Sequence, residues 1–351
     1  MGIEIRPFGR LPDGTAVECC TLNNKNGMSA ELLTYGCRIA KLCVPDRNGK
    51  IENTVLGHDT LAEYATGSDV FGALVGRYAN RIGGAQFQIR GKTYSVTKNE
   101  GENSLHSAPG GYQDRVWRVK SSRDGDTPSV TFAYRSPAGE CGFPGNVDVE
   151  VTETLTADNA LIIEYAAETD AETPLNLTNH SFFNITGNPE QDILSLEMQL
   201  DADFITEADD GLIPTGKLLP VEGTPFDFRK PKTIGLDIHA QDHLLKQCGG
   251  YDHNFVLTKS DGMRKAGEIY DAASGRRMLV FTDLPGIQIY TANSFGPGVK
   301  GNGGAELKPH CAVCMETQFY PDSVNHPEFP YANLKPGKPF CSTTIYQFVV
   351  G

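Results

Sequence analysis

Short segments in which apolar and polar residues alternate recur along this chain, and this period of two constrains its fold more than any other feature. The clearest segments lie at residues 85–96, 129–134, 147–155, 161–165, 193–200, 277–282, 286–291, 311–319 and 343–350. Glycine and proline contribute 38 and 21 of the 351 residues. They separate the segments at intervals of roughly 8 to 12 residues, which is typical of all-β sandwiches and barrels. The sequence therefore predicts an all-β, antiparallel fold.

Helical patterning is confined to two short stretches, residues 60–66 and 234–247, both polar enough to be helices within loops. No linker, low-complexity segment or repeat of fixed period divides the chain. We therefore expect residues 1–351 to form a single domain. Its long loops rich in glycine and asparagine, such as 98–115 and 296–310, are the expected carriers of a functional site.

The charge of the chain argues against a nucleic-acid partner. Its 31 Lys and Arg residues face 44 Asp and Glu residues, a formal net charge of -13, and no run of basic residues interrupts this surface. The first residues, MGIEIRPFGRLPDG, lack the apolar centre of a signal peptide, and no stretch approaches about eighteen consecutive apolar residues. We expect a cytoplasmic protein without a membrane segment.

Nine cysteines, an odd number at irregular spacing, indicate reduced thiols rather than a disulfide framework. The close groupings are Cys19 with Cys20, and Cys311 with Cys314. A zinc site at the second grouping would need another ligand pair at zinc-finger spacing, and the sequence offers none. Period two also places Cys311 and Cys314 on opposite faces of a strand. We therefore predict no metal site there.

Glu316 is an ionisable acid in the middle of the alternating segment 311–319, on the same strand face as Cys314. The next eleven residues, YPDSVNHPEFP, contain three prolines and end the strand. Burying a carboxylate without a partner or a use costs several kcal/mol. Glu316 is therefore either the partner of a structural ion pair, for example with Arg81, or a functional group.

Four further stretches hold polar residues in apolar or turn-rich surroundings. They contain Asn80 and Arg81 (76–84), His106 (101–112), His180 (174–184), and Asp252 with His253 (249–257). Taken singly, each has a structural explanation: a histidine among aromatic rings, a turn residue or a surface ion pair. Taken together with Glu316, and without a Ser or Cys nucleophile motif, they suit hydrogen bonding to a polyol and proton transfer. Aromatic rings such as Phe182 and Tyr290 are candidates to stack on a sugar.

Seven stretches, in this order, resemble the motifs of the aldose 1-epimerase, or galactose mutarotase, family. They read GRYANRIGGAQFQIRGKTY, ENSLHSAPGGY, PLNLTNHSFFN, GLIPTGKLLPVEGTPFDFRKP, YDHNFVL, PGIQIYTANSF and METQFYPDSVNHPEFP. The resemblance runs from about residue 28 to the C-terminus and implies one large antiparallel β-sandwich with a sugar cleft. It implies no metal or organic cofactor. Phe182 stands where that family usually has tyrosine, which leaves the preferred sugar open.

The resemblance also implies roles for individual residues. Glu316 would be the general base and His180 the general acid, and the residues implied to bind the sugar hydroxyls are Asn80, Arg81, His106, Asp252 and Gln288. The implied reaction interconverts the α and β anomers of free hexoses such as galactose and glucose. Ionised Glu316 would take the anomeric hydroxyl proton while protonated His180 gives one to the ring oxygen, and the ring would reclose after rotation about C1–C2.

Three alternatives remain open at this stage. A hexose-6-phosphate 1-epimerase of similar fold would need several clustered basic residues, for which the motifs offer Arg77 and Arg81. A glycosidase would use two carboxylates, here Glu316 and Asp252, and would leave His180 without a role. A non-catalytic sugar-binding protein of the same fold would bind a sugar without changing the rate of its anomerisation.

Overall fold

The computed structural model describes residues 2–67 and 69–351, and strands make up most of its regular structure. In chain order these are β1 (Gly2–Arg10), β2 (Ala16–Asn23), β3 (Ser29–Leu33), β4 (Arg38–Pro45), β5 (Ile51–Asn53), β6 (Ala73–Val75), β7 (Arg81–Ile82), β8 (Gln86–Ile89), β9 (Lys92–Ser95), β10 (Ser104–Leu105), β11 (Arg118–Arg123), β12 (Ser129–Ser136), β13 (Val147–Leu155), β14 (Ala160–Thr169), β15 (Thr178–His180), β16 (Phe182–Phe183), β17 (Glu197–Leu200), β18 (Ala202–Ala208), β19 (Pro214–Pro220), β20 (Lys232–Thr233), β21 (Asp252–Leu257), β22 (Arg264–Tyr270), β23 (Arg276–Thr282), β24 (Gly286–Tyr290), β25 (Val313–Gln318) and β26 (Phe340–Val350). The helices are α1 (Leu61–Thr66) and α2 (His243–Cys248), with short 3₁₀ turns at Gly83–Ala85, Tyr112–Asp114, Glu140–Gly142, Ile234–Leu236 and Asn302–Gly304.

Two large sheets organise the molecule. The larger has the order β11-β12-β13-β14-β26-β23-β22-β17-β20, and the second has the order β16-β25-β24-β21-β18-β19. A third sheet, β1-β2-β3-β4-β5, and the two-stranded pairs β10-β7, β15-β6 and β8-β9 complete the strand pairing. The prediction of an all-β, antiparallel fold is therefore confirmed.

The second sheet buries one face in the main apolar core. Val313 and Met315 of β25 and Ile287 and Ile289 of β24 are fully buried there, beside Tyr346 of β26 in the nine-stranded sheet. The hydroxyl of Tyr346 donates to the carbonyl of Met315 at 3.2 Å, which ties the two sheets together. Each such side chain contributes roughly 1.5–3 kcal/mol by leaving water. The intervening residues of β24 and β25 consequently point to the opposite face of the sheet, and this is the face that bears the polar residues.

The two helix predictions had different outcomes. Residues 61–66 form α1, whose N-cap Thr60 makes a capping box with Glu63. The prediction of a continuous helix over 234–247 is wrong, because that segment contains a 3₁₀ turn at Ile234–Leu236 and only α2 is α-helical. Asp242 caps α2 by accepting two backbone N–H hydrogen bonds, so the helix starts after it rather than before it. Neither helix has the length and apolar content that crossing a bilayer requires, as far as residues 2–67 and 69–351 are concerned.

The predicted strand at 193–200 is also shorter than expected, since β17 covers only Glu197–Leu200. Asp192 accepts the backbone N–H of Leu194 at 3.1 Å and so holds the preceding residues in a turn. The side-chain hydrogen bond of this aspartate therefore outweighs the alternating pattern over the first half of the segment.

A second buried glutamate, Glu153 of β13, lies in the core away from the polar face. Its side chain accepts a hydrogen bond from the thiol of Cys37 at 3.8 Å, and its other oxygen has no hydrogen-bond partner among the described residues. Burial raises the pKa of Glu153 to about 8, an effect that Cys37 opposes. Folded Glu153 is therefore protonated at neutral pH.

We expect the stability of the protein to fall between pH 4.5 and pH 8 because of Glu153. The folded carboxyl keeps its proton up to about pH 8, whereas the unfolded one releases it near 4.5, so over this range the folded state binds more protons. The free energy of unfolding should therefore fall, relative to that of Glu153→Gln, by about 1.4 kcal/mol per pH unit. Urea unfolding of both proteins at pH 5, 6, 7 and 8 measures this difference. A difference that does not change with pH would contradict the assignment of the proton to Glu153.

Candidate active site

A cleft of about 610 Å³ opens on the polar face of the six-stranded sheet. All seven residues to which the family resemblance assigned a role line it: Asn80, Arg81, His106, His180, Asp252, Gln288 and Glu316. The aromatic residues Phe182 and Tyr290 line it as well. Residues separated by up to 236 positions in the chain, from Asn80 to Glu316, thus meet in one concave site.

The strand register explains why these residues share a face. Glu316 of β25 pairs directly with Gln288 of β24, which in turn pairs with Asn254 of β21. Two residues away on the same three strands, a second row consists of Cys314, Tyr290 and Asp252, and Phe182 of β16 extends it by pairing with Cys314. Directly paired residues of antiparallel strands point to the same side of the sheet, so both rows lie on the face on which the cleft opens, although Asn254 and Cys314 do not line the cleft itself. The alternation seen in the sequence therefore becomes a polar surface built from three central strands.

His180 is brought to this surface by a different pair of strands, β15 and β6. Its carbonyl accepts the N–H of Gly72 at 3.0 Å, and the side chain of Asn179 donates to the carbonyl of Gly72 at 2.9 Å. Gly72 has a φ of +64°, and a Cβ there would lie 2.0 Å from the carbonyl oxygen of Ile39. Only glycine fits this position, so the backbone that presents His180 is closely defined.

Glu316 and His180 form a buried pair at the bottom of the cleft. Nε2 of His180 lies 3.5 Å from Oε1 of Glu316, and the two residues are only 5 % and 1 % exposed. Oε2 of Glu316 has no hydrogen-bond partner in the described part of the chain. Phe182 stacks on the imidazole with ring centroids 4.9 Å apart. The carboxylate thus has one oxygen near the histidine and one oxygen left to bind a ligand.

Burial shifts the two pKa values in opposite directions. It raises the pKa of Glu316 well above 4.5, with the negative charge of Asp252 acting in the same sense and the positive charge of Arg81 against it. Burial lowers the pKa of His180 to about 4. Both shifts favour protonated Glu316 beside neutral His180 over the ionised pair.

Several of the remaining polar side chains form a network of hydrogen bonds and ion pairs along the cleft. Gln288 donates to Asp252 at 2.7 Å, and a guanidinium nitrogen of Arg81 lies 3.9 Å from the other carboxylate oxygen of Asp252. Arg81 also donates to both oxygens of Glu100 at 2.7 Å, a bidentate ion pair. Sequence reasoning did not identify Glu100, because this residue lies in a polar loop without periodicity and meets Arg81 only in the folded chain.

His106 is held as a neutral hydrogen-bond donor. Its Nδ1 accepts the backbone N–H of Asn80 at 3.1 Å, so in the neutral ring the proton is on Nε2. Burial lowers the pKa of His106 well below 6.5, and the neighbouring His180 and Arg81 lower it further. The ring lies edge-on to His180, with centroids 5.2 Å apart. His106 is therefore suited to donate a hydrogen bond to a ligand oxygen.

Two residues considered with this group are placed elsewhere. His253 does not line the cleft: it points to the opposite face of β21, packs on Phe226 with centroids 4.6 Å apart and accepts the N–H of Asp252. Arg77 is 2 % exposed and donates to Ser136 and to the carbonyls of Pro144 and Gly145. Both residues therefore have structural contacts that account for them.

A metal ion has one set of potential ligands in the described residues, namely His180, Cys314 and Glu316, whose ligand atoms lie within 4.8 Å of one another. This donor set suits zinc in its chemical type. The histidine, however, uses Nδ1 toward the thiol and Nε2 toward the carboxylate. Cys314 and Glu316 thus lie at different nitrogens of His180, and an ion bound to one nitrogen would be approached by only one of these two side chains. The arrangement therefore suits proton transfer better than metal binding.

A large antiparallel β-sandwich that holds a buried Glu/His pair and several hydrogen-bonding side chains in one cleft is suited to acid–base chemistry on a carbohydrate. The comparison with known families is more specific, since residues 18–347 match the family described as aldose 1-epimerase. The chain belongs to the aldose 1-epimerase family, whose members are isomerases acting on carbohydrates.

Individual relatives agree with this assignment over nearly the full chain. The chain is 42% identical to galactose mutarotase of Mus musculus over 344 residues, which cover 98% of this chain and 97% of the mouse protein. It is 36% identical to aldose 1-epimerase of Escherichia coli K12, with 96% of this chain and 97% of that protein covered.

Two solved structures show the same fold. The crystal structure of an aldose epimerase homologue from C. elegans superposes with a TM-score of 0.84 at 33% identity, covering 94% of this chain and 98% of that one. Galactose 1-epimerase from Lactobacillus acidophilus superposes with a TM-score of 0.88 at 26% identity, covering 99% of both chains. The expected galactose mutarotase type of sandwich is therefore confirmed.

Proposed function

We propose that this protein interconverts the α and β anomers of free hexoses, with galactose and glucose among its substrates, and that Glu316 is the base and His180 the acid. The observation that carries the proposal is the buried contact of 3.5 Å between the two side chains at the bottom of a cleft lined with hydroxyl-binding groups. The unpartnered oxygen of Glu316 is free to meet the anomeric hydroxyl.

Ring opening requires two proton transfers around one bond cleavage. Ionised Glu316 takes the proton of the anomeric hydroxyl, and the electron pair of that O–H bond forms the aldehyde C=O bond. The C1–O5 bond breaks, its electrons go to O5, and O5 receives the Nε2 proton of His180. After rotation about C1–C2 the same steps run backwards on the other face of the aldehyde. Each of the two groups contributes about 100- to 10,000-fold to the rate.

The burial of the pair supports this direction of proton flow. Opening the ring converts an ionised carboxylate and an imidazolium into an acid and a neutral imidazole. The low-polarity surroundings of Glu316 and His180 favour this uncharged form, as their pKa shifts indicate. Burial therefore raises the free energy of the ionised pair relative to the uncharged pair, so the ionised pair that starts the reaction is the less populated form of the free enzyme, and proton transfer out of it is favourable.

The five other cleft residues are proposed to bind the sugar hydroxyls: Asn80, Arg81, His106, Asp252 and Gln288. The carboxylate of Asp252 accepts hydrogen bonds, whereas His106 and Arg81 donate them, which matches the mixed character of vicinal hydroxyls. The reaction breaks and re-forms one C–O bond without a change of oxidation state, and Glu316 and His180 can carry out both proton transfers, so the proposed mechanism uses no cofactor.

The charges of the cleft favour a free sugar over a phosphorylated one. Arg81 is the sole Lys or Arg among the cleft-lining residues that the structure describes, and Glu100 already pairs with it. Asp69, Asp252 and Glu316 add further acidic groups to the lining. A phosphate dianion would enter this site without a free cation to receive it.

We expect the protein to accelerate the mutarotation of freshly dissolved α-D-galactose and α-D-glucose, and not that of the corresponding hexose 6-phosphates. Polarimetry at low buffer concentration measures relaxation to the same final rotation with and without protein. Equal acceleration of both sugar classes would overturn the charge argument. A folded protein that accelerates neither, but binds the sugars saturably, would instead be a sugar-binding protein of this fold.

We also propose that residues 1–351 act as one domain in the cytoplasm, without a nucleic-acid partner. The main apolar core supports the first point, because it takes in residues from Cys20 to Phe348 and from both large sheets. The net charge of -13 supports the last, since binding of phosphate backbones requires clustered basic residues.

A further inference from the structure

The second ring nitrogen of His180 has a partner that the proposed proton transfers do not yet use. Sγ of Cys314 lies 3.6 Å from Nδ1 of His180. Cys314 is fully buried and sits two positions before Glu316 on β25. Because the period of a strand is two, β25 presents Cys314 and Glu316 on the same face, toward the two different nitrogens of one imidazole.

The proposed mechanism places a specific demand on Nδ1. Nε2 must lose a proton to O5 and later regain it, so Nδ1 must keep its own proton in both the imidazolium and the neutral ring. An N–H that is buried throughout needs an acceptor. If the proton moved to Nε2 in the neutral ring instead, that nitrogen could no longer accept one, and ring closure would lose its base.

Cys314 can meet this demand. A thiol sulfur is a weak hydrogen-bond acceptor, and of the side chains in residues 2–67 and 69–351 only that of Cys314 makes a hydrogen bond with Nδ1. Burial raises the pKa of Cys314 well above 9, and the charge of Glu316 raises it further, so the group stays a thiol and does not compete for the ring proton.

We propose that Cys314 is a positioning residue: its sulfur accepts the Nδ1–H of His180 and thereby keeps Nε2 as the nitrogen that exchanges protons with the sugar. This inference rests on the proposed function of His180. The other side chains around the ring act elsewhere, Glu316 at Nε2, Phe182 on one face and His106 at the edge. Besides burial, the backbone of His180 raises the pKa of the ring and the positive charge of Arg38 lowers it.

The test compares Cys314→Ala and Cys314→Val, which remove the acceptor, with Cys314→Ser, which keeps one. Removing the partner of a functional histidine's second nitrogen costs about 10- to 100-fold in comparable metal sites, and we expect kcat to fall by about tenfold here. KM should stay within about twofold, because Cys314 is not among the cleft-lining residues. Cys314→Ser should retain most of the wild-type kcat. Cys311→Ala is the matched control, since Cys311 is also buried but makes no hydrogen bond to the ring.

Nitrogen-15 NMR of labelled histidine supplies a readout that a purely structural role would not change. We expect the His180 ring, identified by its absence in His180→Asn, to be the Nδ1–H tautomer in the wild type and a mixture of tautomers in the alanine and valine variants. Alanine is smaller than cysteine and valine is larger, so one variant remains informative if the other destabilises the fold. Unchanged kcat and an unchanged tautomer in either folded variant would overturn the proposal.

The two proposals can fail separately. A wild type without mutarotase activity on any free aldose would refute the proposed function, whereas the tautomer experiment still reports on the contact between Cys314 and His180. Conversely, an active wild type whose Cys314 variants behave like it would refute only the role of Cys314.

Discussion

The Glu316→Gln variant is expected to lower the turnover number of anomerisation by about 100- to 10,000-fold. Glutamine has nearly the same shape as glutamate but cannot accept the proton of the anomeric hydroxyl. Its fold should survive, because the carboxyl it replaces is buried with one unpartnered oxygen and a raised pKa. Polarimetric kcat for galactose, together with the midpoint of thermal unfolding, separates loss of catalysis from loss of structure.

Glu153→Gln is the matched control for this experiment. It makes the same chemical change at a glutamate that is equally buried, but in the apolar core rather than in the cleft. Its turnover number should equal that of the wild type. If Glu316→Gln also turned over at a near-normal rate, Glu316 would be removed from the mechanism.

The second large effect is expected for His180→Asn, again about 100- to 10,000-fold in kcat. Asparagine is polar and fits the space of the ring only in part, and its amide cannot act as a general acid near neutral pH. Without an acid, the ring oxygen would leave as an alkoxide, so the loss should appear in kcat more than in KM. Polarimetry over a range of galactose concentrations measures the two parameters.

His310→Asn serves as the control for His180→Asn. His310 contacts the carbonyl of Thr291 at 3.1 Å and does not line the cleft, so its replacement should leave kcat unchanged.

The double variant of Glu316 and His180 provides a further check. Because both groups act in the same bond-breaking step, the double variant should be little slower than either single variant. Multiplication of the two losses would indicate that they act in separate steps.

The alternating segments of the sequence correspond to strands of the structure where each strand face has a consistent environment. In β25 and β24 one face is apolar and enters the core, so alternation in the sequence and alternation in space agree. The pattern failed where single side chains redirect the backbone. Asp242 accepts a backbone N–H at the N-terminus of α2, so this helix begins only after residue 242. Asp192 holds the residues before β17 in a turn by accepting the N–H of Leu194. Hydrophobic periodicity contains no information about such hydrogen bonds.

In the candidate site, too, the sequence predicted some properties and only the fold decided the others. Alternation and the motif resemblance singled out Glu316 and His180, and the structure brings them to 3.5 Å. Their catalytic roles remain predictions until the variants are measured. The sequence offered Arg77 and Arg81 as equal candidates for binding an anion, and only the fold separates them, by burying Arg77 against carbonyls and pairing Arg81 with Glu100.

The sequence by itself determined the all-β architecture, the family and the residues proposed to act in the cleft, because strand periodicity, turn residues and motifs are local properties of the chain. The tertiary structure alone decided which of those residues touch. The pKa shifts of Glu316 and His180, the pairing of Glu100 with Arg81 and the contact of Cys314 with Nδ1 all depend on burial and on strand register. These properties arise only when distant segments pack together and exclude water, and they set the chemistry of the site.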